Sequence, residues 1–209
     1  MALTQIDPSM IPTDAIDASK IAADAVGSSE IAAGAVATSE LGDLAVTPAK
    51  MSQKITLGTS VATTSGTAID LSTSIPSWVK RITIACTGVS LNGSSHSIIQ
   101  VGSGSYTTSG YVSTGAYAGT ANSAGVASAT NGLIVHGGSS TNAFTGTMTL
   151  VNISGNTWVE SHCGSLNTTI GVMGGGSITL GGALDRIRIA SANSADVFDA
   201  GSVNILFEG

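Results

Sequence analysis

Aliphatic or Met side chains fall on every fifth residue from Ile6 to Met51, through Ile11, Ile16, Ile21, Val26, Ile31, Val36, Leu41 and Val46. Paired, these positions give a ten-residue unit, as in Ile11 to Lys20, Ile21 to Glu30, Ile31 to Glu40 and Leu41 to Lys50. Ala15, Ala25, Ala35 and Ala45 hold the fifth place, and Lys20, Glu30, Glu40 and Lys50 close the units. No ordinary element has this period. A step of five turns an α-helix by about 140°, which scatters the apolar positions around the cylinder. A coiled coil needs a mean spacing of about 3.5, and on a straight strand an odd step alternates faces. The spacing predicts a chain that bends every five residues and returns each aliphatic to a common axis. One narrow chain cannot cover such a row. Three chains around one axis can, with the aliphatics meeting in threes, each worth about 1.5–3 kcal/mol when buried, as an upper bound. The other reading is that Ala-rich pieces such as Ile31-Ala32-Ala33-Gly34-Ala35-Val36 form short helices or order only on docking, against which Pro12, Pro48, Gly27 and Gly34 count.

Beyond residue 54 the pattern changes to strand alternation. It is visible in Lys80 to Cys86, in Thr147 to Ile153 and in Asp185 to Ala190. Ser154-Gly155-Asn156 joins the second of these runs to Thr157–Cys163 as a hairpin connection. No helical period exceeds a turn. The expected fold is all-β: an N-terminal trimeric repeat shaft over residues 1–54 and a C-terminal β-sandwich or jelly-roll-like tip over residues 55–209. Charge divides at the same place. Residues 1–54 carry three Lys and seven acids, whereas 55–209 carry only four basic residues and six acids.

The net charge of −6 lacks the basic footprint of a nucleic-acid binder. No run approaches the roughly 18 apolar residues of a membrane span, so no membrane insertion is expected. Met1 to Pro8 shows neither the basic nor the apolar region of a secretory signal. Two cysteines are too few for a disulfide framework, and Cys86 falls on the face of Ile82 and Ile84, as a buried thiol would.

The shaft units Lys20-Ile21-Ala22-Ala23-Asp24-Ala25-Val26 and Glu30-Ile31-Ala32-Ala33-Gly34-Ala35-Val36 resemble the AKIADGAV-type repeats of bacteriophage tail fibres and related virion fibres. Ile75-Pro76-Ser77-Trp78-Val79-Lys80-Arg81-Ile82, Asp185-Arg186-Ile187-Arg188-Ile189 and Phe198 to Ile205 are similar to the C-terminal tips of many such fibres. Residues 100–170 match nothing in that family. The resemblance implies a homotrimer in the virion, made in the host cytoplasm, with the N-terminal segment on other tail or capsid proteins and the tip on a host-surface glycan or protein. The short shaft leaves open a head fibre or a structural decoration or tail-joining protein. A polysaccharide-degrading tailspike is the enzymatic alternative.

Enzymatic chemistry finds little material, and the chain is expected not to be an enzyme. Of the tip's acids, Asp185 and Asp199 read as turn or cap residues, and Glu160 beside Trp158 is the one to test as a glycosidase carboxylate. No nucleophile elbow occurs. His96, His136 and His162 are isolated, and adjacent His162 and Cys163 point to opposite strand faces, so neither a metal nor another cofactor is expected. Gly174-Gly175-Gly176 and Gly181-Gly182 read as turns. The expected contact surface is the stretch from Gly102 to Gly132, read as a long loop bearing Tyr106, Tyr111 and Tyr117 with Asn122 and Asn131. Tyrosine offers a flat apolar face and a hydroxyl, which suits a sugar ring. The alternative for each Tyr is a core position in a strand, as Gly110-Tyr111-Val112-Ser113 allows.

Overall fold

The computed structural model describes residues 12–13, 15–17, 19–27, 29, 31–37, 39, 41–42, 46, 50, 55–120, 123–135 and 137–209. Contacts divide the chain into two units, Met1–Lys50 and Met51–Gly209.

The first unit bends repeatedly. The N–H groups of Ala15, Lys20, Ala25 and Ala35 donate to the carbonyls of Pro12, Asp17, Ala22 and Ala32, three residues back, at 3.0–3.1 Å. The turns at Ala22 and Ala32 place their third residues in the left-handed region, Asp24 at φ 63° and Gly34 at φ 80°, as a type II turn demands. Between turns the backbone bends at Ile16, Ile21, Val26, Ile31, Val36, Leu41 and Val46. All seven of these side chains are 45–62% exposed in the single chain. Ile6, Ile11 and Met51 lie outside the described residues.

The second unit is all-β and antiparallel. Among its described residues fourteen strands form: β1 (Ile55–Leu57), β2 (Val61–Ala62), β3 (Ala68–Ser72), β4 (Arg81–Leu91), β5 (Ser97–Ser103), β6 (Ser105–Tyr106), β7 (Val112–Gly119), β8 (Ala124–Ala129), β9 (Leu133–Val135), β10 (Phe144–Ser154), β11 (Thr157–Leu166), β12 (Ile170–Thr179), β13 (Arg186–Ser191) and β14 (Phe198–Glu208). They build a nine-stranded sheet, in order β1-β14-β4-β10-β11-β12-β7-β8 with β2 on β14, and a five-stranded sheet, β3-β13-β5-β6 with β9 on β5.

Alternation explains the packing. In β4, Ile82, Ile84 and Cys86 are buried while Arg81 and Ala85 are exposed. Ile99, Val101, Leu133, Ile187 and Ile189 of the small sheet join Ile82, Ile84, Met148, Leu150, Val203 and Ile205 of the large one in a single core. Burial pushes the Cys86 thiol up to about 12. The hairpin read at Ser154-Gly155-Asn156 is present: Ser154 pairs with Thr157, and Gly155 adopts φ 52°.

Two expectations need correction. Gly174, Gly175 and Gly176 are not a turn; they lie inside β12, paired with β11 on one side and β7 on the other. A Cβ at Gly174 would overlap the His162 ring, and one at Gly176 would crowd the carbonyl of Val112, so the glycines let neighbouring groups approach the strand. The stretch from Gly102 to Gly132 is not a long loop either. It holds β6, β7 and β8, whose Gly, Ala, Ser and Thr residues imitate loop composition; β7 pairs with this glycine-rich strand and with β8, while β6 pairs with β5 in the small sheet.

Candidate functional site

Of the five residues expected to contact a receptor, the four described ones part company in the fold. Tyr111 is 2% exposed and belongs to the core, which corrects its assignment to the surface. The N–H of Val101 donates to its hydroxyl at 2.9 Å, and that hydroxyl lies 3.2 Å from the Val101 carbonyl and 3.1 Å from that of Thr107. Burial pushes this phenol up to about 12. Tyr117, on β7, packs half-buried against the main core with its ring over Gly125 of β8, where a Cβ would collide with it. It also lines a cleft of about 280 Å³ with Ser123, Ser139 and Asn142. Asn122 lies outside the described residues.

Tyr106 and Asn131 belong to one polar network on the outer face of the five-stranded sheet. Ile187 and Ile189 send their side chains to the core, so Arg186 and Arg188 between them face outward. Arg188 stands opposite Asp70 on β3 and Gln100 on β5, which places the three on one face. The Tyr106 hydroxyl donates to Asp70 Oδ1 at 2.7 Å. The Arg188 guanidinium lies 4.2 Å from the centre of the Tyr106 ring and that of Arg186 at 5.8 Å, a cation–π arrangement. Arg188 Nε donates to Gln100 Oε1 at 2.8 Å, and Gln100 Nε2 donates to the Asn131 carbonyl at 2.7 Å. Asn131 Nδ2 in turn donates to the Ala192 carbonyl at 2.8 Å. Its amide therefore braces the network, with its donor committed to the backbone.

Electrostatics follow this geometry. Burial and the hydrogen bond to Asp70 push the Tyr106 phenol well above its ordinary value. The Arg186 side chain, bonded to Asp185 at 2.7 Å, holds that carboxyl below the usual range, helped by the Gly104 N–H. Asp70, Gln100, Arg186 and Arg188 are not among the contact residues expected from sequence, where the two arginines enter only as part of a strand and of a fibre-like segment. Their signal was available: in Asp185-Arg186-Ile187-Arg188-Ile189 two arginines share one face of a strand whose other face is isoleucine.

A second polar cluster is sealed inside the unit. Glu160 and His162, two residues apart on β11, point into the core with side chains 0% exposed, and His162 Nδ1 lies 2.8 Å from Glu160 Oε1. Glu160 Oε2 and His162 Nε2 have no hydrogen-bond partner. Glu160, the acid expected to be testable as a glycosidase carboxylate, thus meets no solvent in this structure. Cys163, the next residue, is exposed on the opposite face, as strand geometry requires. The Gly137 N–H donates to His96 Nδ1 at 3.1 Å, and burial lowers the His96 imidazole. His136 lies outside the described residues. Among the described residues no three His, Cys, Asp or Glu side chains converge as metal ligands.

No family model, curated protein or solved structure matches the chain.

Proposed function

We propose that this chain is a homotrimeric fibre protein of a bacteriophage virion, its N-terminal repeat the shaft and its C-terminal module a β-sandwich, jelly-roll-like tip that binds a glycan on the host surface. One observation carries the reading. The repeat presents an aliphatic at every fifth residue, each at a bend and each 45–62% exposed along the described shaft, and a row that one chain leaves in water is a row that companion chains can cover. The resemblance of the repeat units and of both ends of the tip to virion fibres supplies the biological setting.

For the tip, the outer face of the small sheet supports glycan binding. Tyr106, Arg186 and Arg188 offer planar groups beside the carboxylate of Asp70, the set that stacks on a sugar ring and hydrogen-bonds its hydroxyls. Three copies raise a weak site to useful avidity by effective concentration. The test is labelling of host cells by the intact trimer. Tyr106→Ala and Arg188→Ala are expected to lower labelling about tenfold or more, by loss of stacking compounded over three sites, with the trimer retained. Labelling unchanged in both variants would remove this face from receptor binding, and electron microscopy that finds the protein off the virion would remove the fibre reading.

A further inference from the structure

The outer face of the nine-stranded sheet is without charge over most of its width. Five adjacent strands, β10-β11-β12-β7-β8, contain no Lys, Arg or Asp, and their one Glu, Glu160, points into the core. An antiparallel sheet with one wet face normally alternates apolar inward with polar outward. Here the outward positions include Val112 at 72%, Val126 at 73%, Met173 at 63% and Ile153 at 63% exposed, with Val151 and Val159 at 43% and 39%. Between them stand Ala, Gly, Ser, Thr and the exposed Cys163. Arg81, at the far border on β4, is already held by Glu208 through two contacts of 2.6 Å.

The edge of this sheet points the same way. β8 reads Ala-Gly-Val-Ala-Ser-Ala, without the Lys, Pro or inward charge that keeps an edge strand from pairing with another chain.

We infer that this face is the surface on which the tips of one molecule pack against one another, a second copy of the same sheet being its occupant. The inference rests on the trimeric reading above. Three features select the occupant. Five strands of six to eleven residues, rising about 3.3 Å per residue and spaced about 4.8 Å apart, offer roughly 700 Å² per copy, close to the roughly 800 Å² each partner contributes to a stable interface. An uncharged face of valine, methionine, threonine and serine offers an ionic partner nothing to pair with, whereas an identical face complements it. The third feature is tethering. β1, the first strand after the repeat, belongs to this sheet, and the chain from Lys50 to Ile55 spans no more than about 18 Å fully extended. Chains joined at their repeats therefore hold the sheets at millimolar effective concentration.

Cys163 lies near the middle of the face, on β11 opposite Met173, and reports on it. Cys86 is buried, so a maleimide applied to the native full-length chain reads Cys163. The expected result is a particle of three chains in sedimentation, with Cys163 labelled at least about tenfold slower than in the urea-unfolded chain. Met173→Asp and, as a second variant on another strand, Val126→Lys are expected to restore fast labelling while the repeats keep the mass at three chains. Three-chain mass with Cys163 of the unmodified protein labelled as fast as in urea overturns this interface and leaves the shaft standing. A one-chain mass overturns the trimeric reading and this inference with it.

Discussion

Glu160 and His162 satisfy each other on one side only, each keeping a buried polar atom without a partner. Removing either strands the other, at a cost of about 1–3 kcal/mol, while removing both with apolar groups of similar size is near neutral or stabilising. Glu160→Leu and His162→Leu are each expected to lower the denaturation midpoint, and the double variant to recover it. A double variant as unstable as the sum of the singles would show that the pair does not act as a unit. The two cysteines make a second contrast. With its thiol pushed up to about 12 and 3% exposed, Cys86 is expected to stay unmodified by maleimide at neutral pH until the chain unfolds, as peptide mass spectrometry can read. At this scale the sequence was partly legible. The alternation placing Cys86 with Ile82 and Ile84 held, because both faces of β4 are distinct in polarity. Tyr106 and Tyr111 were not separable, since each sits among Ser, Thr and Gly, and only the fold decides which ring meets Arg188 and which meets Val101.

Elements with a strong period were the most readable. β4, β10, β11 and β13 lie where alternation put them, and the Gly155 hairpin follows from its turn residues. β7, β8 and the centre of β12 were missed for a common physical reason. They are built from glycine and alanine so that His162, Tyr117 and neighbouring backbone can approach, and small residues erase the contrast on which a period-two reading depends. In the repeat, by contrast, the bends are legible, and the structure adds their mechanism. The third turn residue needs positive φ, supplied freely by Gly34 and under strain by Asp24. A non-glycine residue there costs about 1 kcal/mol. Asp24→Gly is therefore expected to raise the melting temperature of the assembled protein, and Gly34→Val to lower it. The opposite order would show that these turns are not the ones that form.

For the whole molecule, contacts divide the chain between Lys50 and Met51, a few residues before charge, hydrophobic period and composition change near residue 54, and the all-β class of the second unit was legible in its strand alternation. The pairing of sheets was not, since the order β14-β4-β10 and β12-β7 joins strands far apart in sequence, and no local pattern records such partners. At this scale one claim supports the rest: the exposed aliphatic row is covered by other copies of the same chain. Sedimentation equilibrium of the full-length protein tests it most directly. Three times the 20.5 kDa chain mass, reduced to one chain by Ile21→Asp together with Ile31→Asp, is the expected result; a 20.5 kDa particle whose repeat resists proteolysis would contradict it.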